Sequence, residues 1–424
     1  MSAWALSSRV RNVLGAAGVR VATLLTSLVT VRLLLEALGA SDYGVWVTLT
    51  SLIAWIGMMD LGVGNSLRNS VAGLVDEAQR ATVQHEFTAF FQLLGAIGIV
   101  AAGALALASG WVPLLAQHRG TSLLLYLPVL LGLPLLLGGS VMQGARQVGL
   151  QALLQNANSW WMCGFLLLCS ALSWQPSLPA LAGYWAVVYL FGLGWILARA
   201  LRILQLPARR LLGRLAGAMP WQRLKVGTSF LALQVATLVL YTLGNVLVFQ
   251  HLGPAEVARY DVLNKIFQIG LSFFGIIISV VWPDITRLRA SADFPALRRL
   301  YRKTLGLAAV FCLGAALVAW WAPAIVQLWT RGMVQVSAPE ALCLALLVSV
   351  QAIAYVGAVV LNAFEHVAVQ VRLALVNIVL MLPLSHLLFA AGWGLMSVPL
   401  AAAALTCLPL LVCHLQATRL MADR

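Results

Sequence analysis

The sequence predicts an all-α polytopic membrane protein with twelve transmembrane helices. They form two pseudo-symmetric six-helix lobes, with both termini in the cytoplasm. Three observations predict this: apolar runs long enough to cross a bilayer, cations crowded into alternate gaps between them, and a short echo half a chain apart. Of 424 residues, 62% are hydrophobic and only 9% charged, yet the formal net charge is +14. A run of about 20 apolar residues at 1.5 Å rise spans the hydrocarbon. Lipid forbids unpaired backbone groups, so each run is a helix. The short alternating segments of a membrane barrel are absent.

In order, the runs are 12–35, 42–66, 86–109, 121–142, 149–171, 178–200, 226–250, 255–282, 304–323, 340–362, 368–389 and 393–415. The first is too long for a cleaved signal peptide and carries Arg20 within it. Pro128, Pro134 and Pro383 fall inside runs and remove helical hydrogen bonds there, either as kinks for a moving bundle or as passive packing features. The six cysteines all lie in apolar runs without a CxxC pair, which reads as core filling. The pairs Trp160-Trp161 and Trp320-Trp321 fit interfacial anchors.

With the N-terminus placed in the cytoplasm, twenty of the 27 Lys and Arg fall on the cytoplasmic side. Arg119, Arg259 and Arg331 fall opposite, and Arg20, Arg32, Lys265 and Arg372 lie inside runs. That bias follows the positive-inside rule. Anionic headgroups then suffice as partners of the basic gaps, and nucleic acid is not needed to explain the charge. No gap is long enough for a soluble catalytic domain, no GxxxxGK[ST] motif is present, and no cofactor is implied; the expected protein is not an enzyme.

The most basic gap divides an N-terminal lobe (1–200) from a C-terminal lobe (226–424), with 201–225 as connector. Leu38-Gly39-Ala40-Ser41-Asp42-Tyr43 follows the first run, and Leu252-Gly253-Pro254-Ala255-Glu256 follows the seventh. Each reads as a helix end, a glycine turn and a helix start, with Ser41 as N-cap or Pro254 at the first helical position. Such repeats are a common transporter plan, with the substrate site between the halves.

Residues 38–71, LGASDYGVWVTLTSLIAWIGMMDLGVGNSLRNSV, resemble the second-helix signature of Wzx-type polysaccharide flippases. That family belongs to the multidrug, oligosaccharidyl-lipid and polysaccharide exporter superfamily. The matching elements are Leu38-Gly39, Tyr43-Gly44-Val45-Trp46 and Asp60-Leu61-Gly62-Val63-Gly64-Asn65, with Leu252-Gly253-Pro254, Tyr260, Lys265-Ile266 and Pro283 as a looser second match. The resemblance implies an inner-membrane flippase for an undecaprenyl-diphosphate-linked oligosaccharide. It also implies a polysaccharide polymerase and a chain-length regulator as partners. One departure is the seventh run, which ends in Asn245, Gln250 and His251 where relatives often carry an acid.

A cation at a helix centre costs about 2.5–3.5 kcal/mol on insertion scales, so it faces a polar cavity or a partner. Arg20 is therefore the leading candidate for contact with a diphosphate or acidic sugar, against a structural pairing; Gln234 is its repeat equivalent, 214 residues on. Arg32 either touches substrate or snorkels with Glu36 at i+4; it lies about 120° around the helix from Arg20. Lys265 is either a cationic site or half of a neutral pair with Asp261 at i−4. Asp60 and Asp261 are the candidates for ion coupling, Asp60 with a pairing to Arg20 as the alternative. Asn65 extends the motif toward the interface as a further substrate contact. Arg68 and Arg372 read as interfacial cations. The rival functions are an ion-coupled multidrug exporter of the same superfamily and a membrane-embedded polysaccharide polymerase. Cationic drugs would call for more cavity acids, and a polymerase for a longer loop bearing catalytic groups.

Overall fold

A computed structural model describes residues 3–57, 62–72, 74, 76–211, 213, 238–239, 243–364, 366 and 368–422. Side chains at 3–17, 20, 21, 65, 69, 279, 280 and 283 lie outside that description. The described residues are helical with short connections. In chain order the helices are α1 (Ala3–Gly57), α2 (Val63–Ala72), α3 (Glu77–Ala108), α4 (Pro113–Gln117), α5 (Arg119–Leu131), α6 (Leu137–Gly144), α7 (Val148–Ala171) and α8 (Leu178–Leu204). They continue as α9 (Gly244–Leu252), α10 (Pro254–Ala290), α11 (Phe294–Trp329), α12 (Ala338–Ala363), α13 (Ala368–Ala390) and α14 (Ser397–Ala422).

Among the described residues, eight helices are long and apolar enough to cross a membrane, or nine if one bent pair is a single span. Apolar side chains on these helices lie bare to the outside, among them Leu107, Val187, Leu313 and Leu328, as lipid-facing residues do. The first two predicted runs are two helices that meet at a kink within α1, where Gly39 leaves helical geometry (φ 74°, ψ 172°), and the second of them continues to Gly57. The fourth run is broken: α5 and the segment Leu133–Gly144 meet at 53°, with Pro128 inside α5 and Pro134 in the intervening 3-10 turn. The fifth run is α7, helical throughout, but Gln151, Gln155, Asn156 and Asn158 dilute its apolarity below that of a simple span. Most of the seventh run lies outside the described residues.

The echo in the sequence is an echo in the backbone. Gly253 holds φ 90° and ψ 174°, nearly the values at Gly39, and Pro254 opens α10 as expected. Both are left-handed values that any side chain would strain, so glycine is required twice. Ser41 is helical rather than an N-cap, because the one non-helical position within α1 is Gly39. Three later starts are capped by short polar side chains: Asp76 accepts from Gln79 N (2.8 Å), Asp293 from Ala296 N (3.0 Å), and Ser337 with Glu340 forms a capping box.

The chain packs as two compact units. One comprises Met1–Leu38 and Leu52–Leu231, and the other Gly39–Ser51 and Ala232–Arg424. The first part of the second predicted run thus packs with the C-terminal residues. In the first unit, Val63, Leu67, Phe87, Phe90, Leu94, Leu133, Leu137 and Leu204 form a buried core. Gln84 donates across it to the Leu204 carbonyl (2.7 Å). In the second unit α12 is central, packed by α10, α11 and α14. Small residues let these helices close up: a Cβ at Gly357 would lie 3.1 Å from Cys413 Cβ. The cysteines are free, with Cys163, Cys169 and Cys413 buried.

Candidate functional site

The chemistry within the second unit gathers where residues 39–51 meet α10. A Cβ at Gly44 would lie 1.8 Å from the Pro254 carbonyl oxygen, so only glycine permits this backbone approach. The approach seats Tyr43, fully buried, with its hydroxyl donating to Asp261 Oδ2 at 2.5 Å. Lys265, one turn further along α10, pairs with the same oxygen and lies 3.4 Å from the Tyr43 hydroxyl. Its ammonium sits 6.0 Å from the centre of the Tyr43 ring, the outer limit of a cation–π contact.

Asp261 Oδ2 therefore accepts from a phenol and an ammonium at once. A buried carboxylate is tolerable only when so compensated. The two charged partners are unequal in access: the Asp261 side chain is 6% exposed and that of Lys265 31%. The acid is sealed inside while the cation keeps an open side. An ammonium has three donors, and two are directed at Asp261 and Tyr43, which leaves one for an incoming acceptor. The pairing of Lys265 with Asp261 was legible as an i,i+4 spacing. The part of Tyr43 was not, since it sits 218 residues from Asp261.

A second network runs through the first unit and uses amides instead of charges. Arg68 donates to Gln143 Oε1 (3.4 Å), Gln143 to Gln151 Oε1 (3.4 Å), and Gln151 to Gln155 Oε1 (2.5 Å). Arg199 donates to Gln147 Oε1 at 3.3 Å. Gln151 and Gln155, four apart in an apolar run, are a helical-face signal that could have marked them in advance.

The remaining sequence candidates are dispersed. Arg32 pairs with Glu36 at 3.0 Å, both half-buried, in the i,i+4 arrangement expected. Arg68 and Arg372 are exposed, as interfacial cations are. The backbone of Arg20 is helical, but its side chain lies outside the described residues, as does that of Asn65; Asp60 and Gln234 lie outside them entirely. His251, at the departure from the flippase pattern, stacks on Phe389 (4.2 Å between ring centres) and shares a 3.0 Å hydrogen bond with His386. Among the described residues no cluster of three or more His, Cys, Asp or Glu could hold a metal ion.

No family model matches the chain. Over 290 residues it is 26% identical to a Salmonella typhi protein named "Putative O-antigen transporter", and the match covers 64% of each chain. The matched region thus spans just under two thirds of that relative. Solved structures share the fold at lower identity. The lipid II flippase MurJ in an inward closed conformation aligns with a TM-score of 0.74 at 10% identity, over 95% of this chain and 87% of its own. An inward-facing multidrug resistance MATE family transporter of the MOP superfamily aligns at 0.69 and 13% identity, over 95% of both chains. A MOP superfamily transporter from Pyrococcus furiosus aligns at 0.57 and 10% identity, over 94% of this chain and 95% of its own. This chain is a multi-pass membrane protein with the fold of MOP superfamily transporters and of the flippase MurJ.

Proposed function

We propose that the protein flips an undecaprenyl-diphosphate-linked oligosaccharide from the cytoplasmic to the periplasmic leaflet of a bacterial inner membrane, by alternating access, for surface polysaccharide synthesis. The observation that carries this reading is the Tyr43–Asp261–Lys265 cluster inside apolar helices. An intramembrane cation is expensive, and one with an open donor beside a sealed acid suits reversible capture of an anion. A diphosphate arriving at Lys265 competes with Asp261 for the ammonium. Tyr43 keeps the acid partnered while the ammonium is shared, so neither charge is stranded. The exchange is reversible, as transport requires: substrate leaves when Asp261 reclaims the cation.

In this proposal Arg20 remains the first contact for the diphosphate, with Arg32, Asn65 and Gln234 as further contacts and Asp60 as a second acid for ion coupling. The lobes are 1–200 and 226–424, joined by 201–225, with twelve spans and both termini cytoplasmic. A polysaccharide polymerase and a chain-length regulator are the expected partners downstream. The relative named as an O-antigen transporter supports the substrate class.

Complementation of surface polysaccharide in a flippase-null host tests this. Wild type and Lys265→Arg should restore the polymer, while Lys265→Ala at equal membrane level should lower it at least tenfold. Restoration by Lys265→Ala equal to wild type removes the lysine from the proposal. Drug resistance conferred by wild type without polymer rescue replaces the proposal with the multidrug exporter.

A further inference from the structure

Within the second unit, α10 carries three different faces. At 100° per residue, Asp261, Asn264, Lys265, Gln268, Ser272 and Gly275 fall within an arc of about 100°. Phe273 and Ile277, bare to the outside as lipid-facing residues are, lie about 130–170° from the middle of that arc. Leu263, Phe267, Leu271 and Phe274 are buried and fill the sector between on one flank. Asp261 aside, the members of the polar arc are half-buried rather than sealed. A Cβ added at Gly275 would meet no atom within 4 Å, whereas one at Gly270, on another side of the helix, would meet the Phe311 ring at 3.5 Å. The polar arc therefore borders open space on a side turned away from both the packed core and lipid. Amides and an ammonium open to hydrocarbon would be expensive, so that space is a water-filled groove.

The groups along the groove change in character. At one end stands the Asp261–Lys265 pair, with the open donor of the ammonium. Beyond it this face is uncharged for about 15 Å, from Lys265 to Gly275 at 1.5 Å per residue. Gln268 Nε2 donates weakly to Asn264 Oδ1 at 3.5 Å. Among the described residues nothing takes the Asn264 amide hydrogens or binds Gln268 Oε1, so a donor and an acceptor stay free side by side. The Ser272 hydroxyl donates to the Gln268 carbonyl (2.8 Å), which leaves its oxygen as a further acceptor.

A hydrocarbon tail leaves all of these groups unmet. An acidic sugar finds no cation on this face past Lys265, and a cationic one finds no acid. An uncharged sugar ring fits, because each hydroxyl accepts and donates at once, from Asn264 Nδ2 and toward Gln268 Oε1 or Ser272 Oγ. The side chain missing at Gly275 leaves width for the ring.

We propose that this face of α10 is a glycan-recognition strip, in which Lys265 holds the anionic end of the substrate and Asn264, Gln268 and Ser272 select an uncharged sugar ring beside it. The assignment rests on the flippase reading and adds the residues that set sugar specificity.

Two probes of equal charge test it on the purified full-length protein in lipid nanodiscs: a short-chain prenyl diphosphate capped by a methyl group, and the same compound capped by a hexose. Wild type should bind the hexose probe about tenfold more tightly. Gln268→Leu and Asn264→Leu should each erase most of that ratio and leave affinity for the methyl probe unchanged, while Lys265→Ala should weaken both probes alike. Where Gln268→Leu fails to assemble, Asn264→Leu decides. Equal affinity of wild type for the two probes overturns the proposal and leaves the flippase reading standing, as does a loss in Gln268→Leu shared equally by both. Binding of neither probe strikes the flippase reading and this assignment with it. The groove itself is checked without a ligand: Ser272→Cys should react with a hydrophilic maleimide, read by peptide mass spectrometry, and Phe273→Cys should not. Equal or reversed reactivity overturns the proposal.

Discussion

The two units bury polar groups by opposite means. The second places a carboxylate, an ammonium and a phenol around one oxygen, Asp261 Oδ2. The first strings Gln143, Gln151 and Gln155 into a neutral relay anchored on an exposed arginine. The ionic cluster is strong and fragile together, since removal of Asp261 or Lys265 leaves the other's charge without its counter-ion. The amide relay forfeits less per link and has no net charge to strand. The ionic cluster can exchange one charged partner for another, whereas the amide relay has no charge to exchange.

Substitutions separate the two. Asp261→Ala should have the largest effect, about 3 kcal/mol of destabilisation measured by denaturant unfolding in micelles, because Lys265 and Tyr43 both lose their acceptor. The double variant Asp261→Ala/Lys265→Ala should recover part of that loss, and a strictly additive result would mean that the pair is not coupled. Gly44→Ala comes next, at about 1–3 kcal/mol, since its Cβ would overlap the Pro254 carbonyl oxygen and push residues 39–51 off α10. It should also impair polymer rescue by unseating Tyr43, which the same complementation assay reads.

Gln151→Leu cuts the relay in its middle and should cost about 1 kcal/mol by the same unfolding measurement. A cost matching that of Asp261→Ala would erase the contrast between the units. The smallest effect belongs to Arg32→Ala. Its pair with Glu36 is half-exposed and local, worth about 0.3–0.5 kcal/mol, and should weaken further as salt is raised.

Contacts local in sequence were legible in advance. The spacing of Arg32 to Glu36 and of Asp261 to Lys265 gave both ion pairs, because helical geometry alone brings i and i+4 together. The glycine echo at 39 and 253 announced two equal turns, because only a left-handed backbone needs glycine there. Contacts that depend on packing were hidden. Tyr43 reads as one more aromatic in a motif until Gly44 is seen against Pro254. Gln143 and Gln151 lie on different helices, and Trp160, expected as an interfacial anchor, has its indole nitrogen buried without a hydrogen-bond partner among the described residues. Ser41 was misplaced by one preference over another: a good capping residue lost to a glycine two positions earlier.

The matched bends at Gly39 and Gly253 give the molecule an internal control. An ancestral duplication would leave two copies of one joint, free to drift apart in sequence yet bound to the same backbone angles. Alanine at either joint carries the same intrinsic penalty, about 1 kcal/mol or more for a left-handed backbone. Any difference between the two alanine variants in export therefore reports the separate duties the copies have acquired, with the shared conformational cost subtracted by the protein's own architecture.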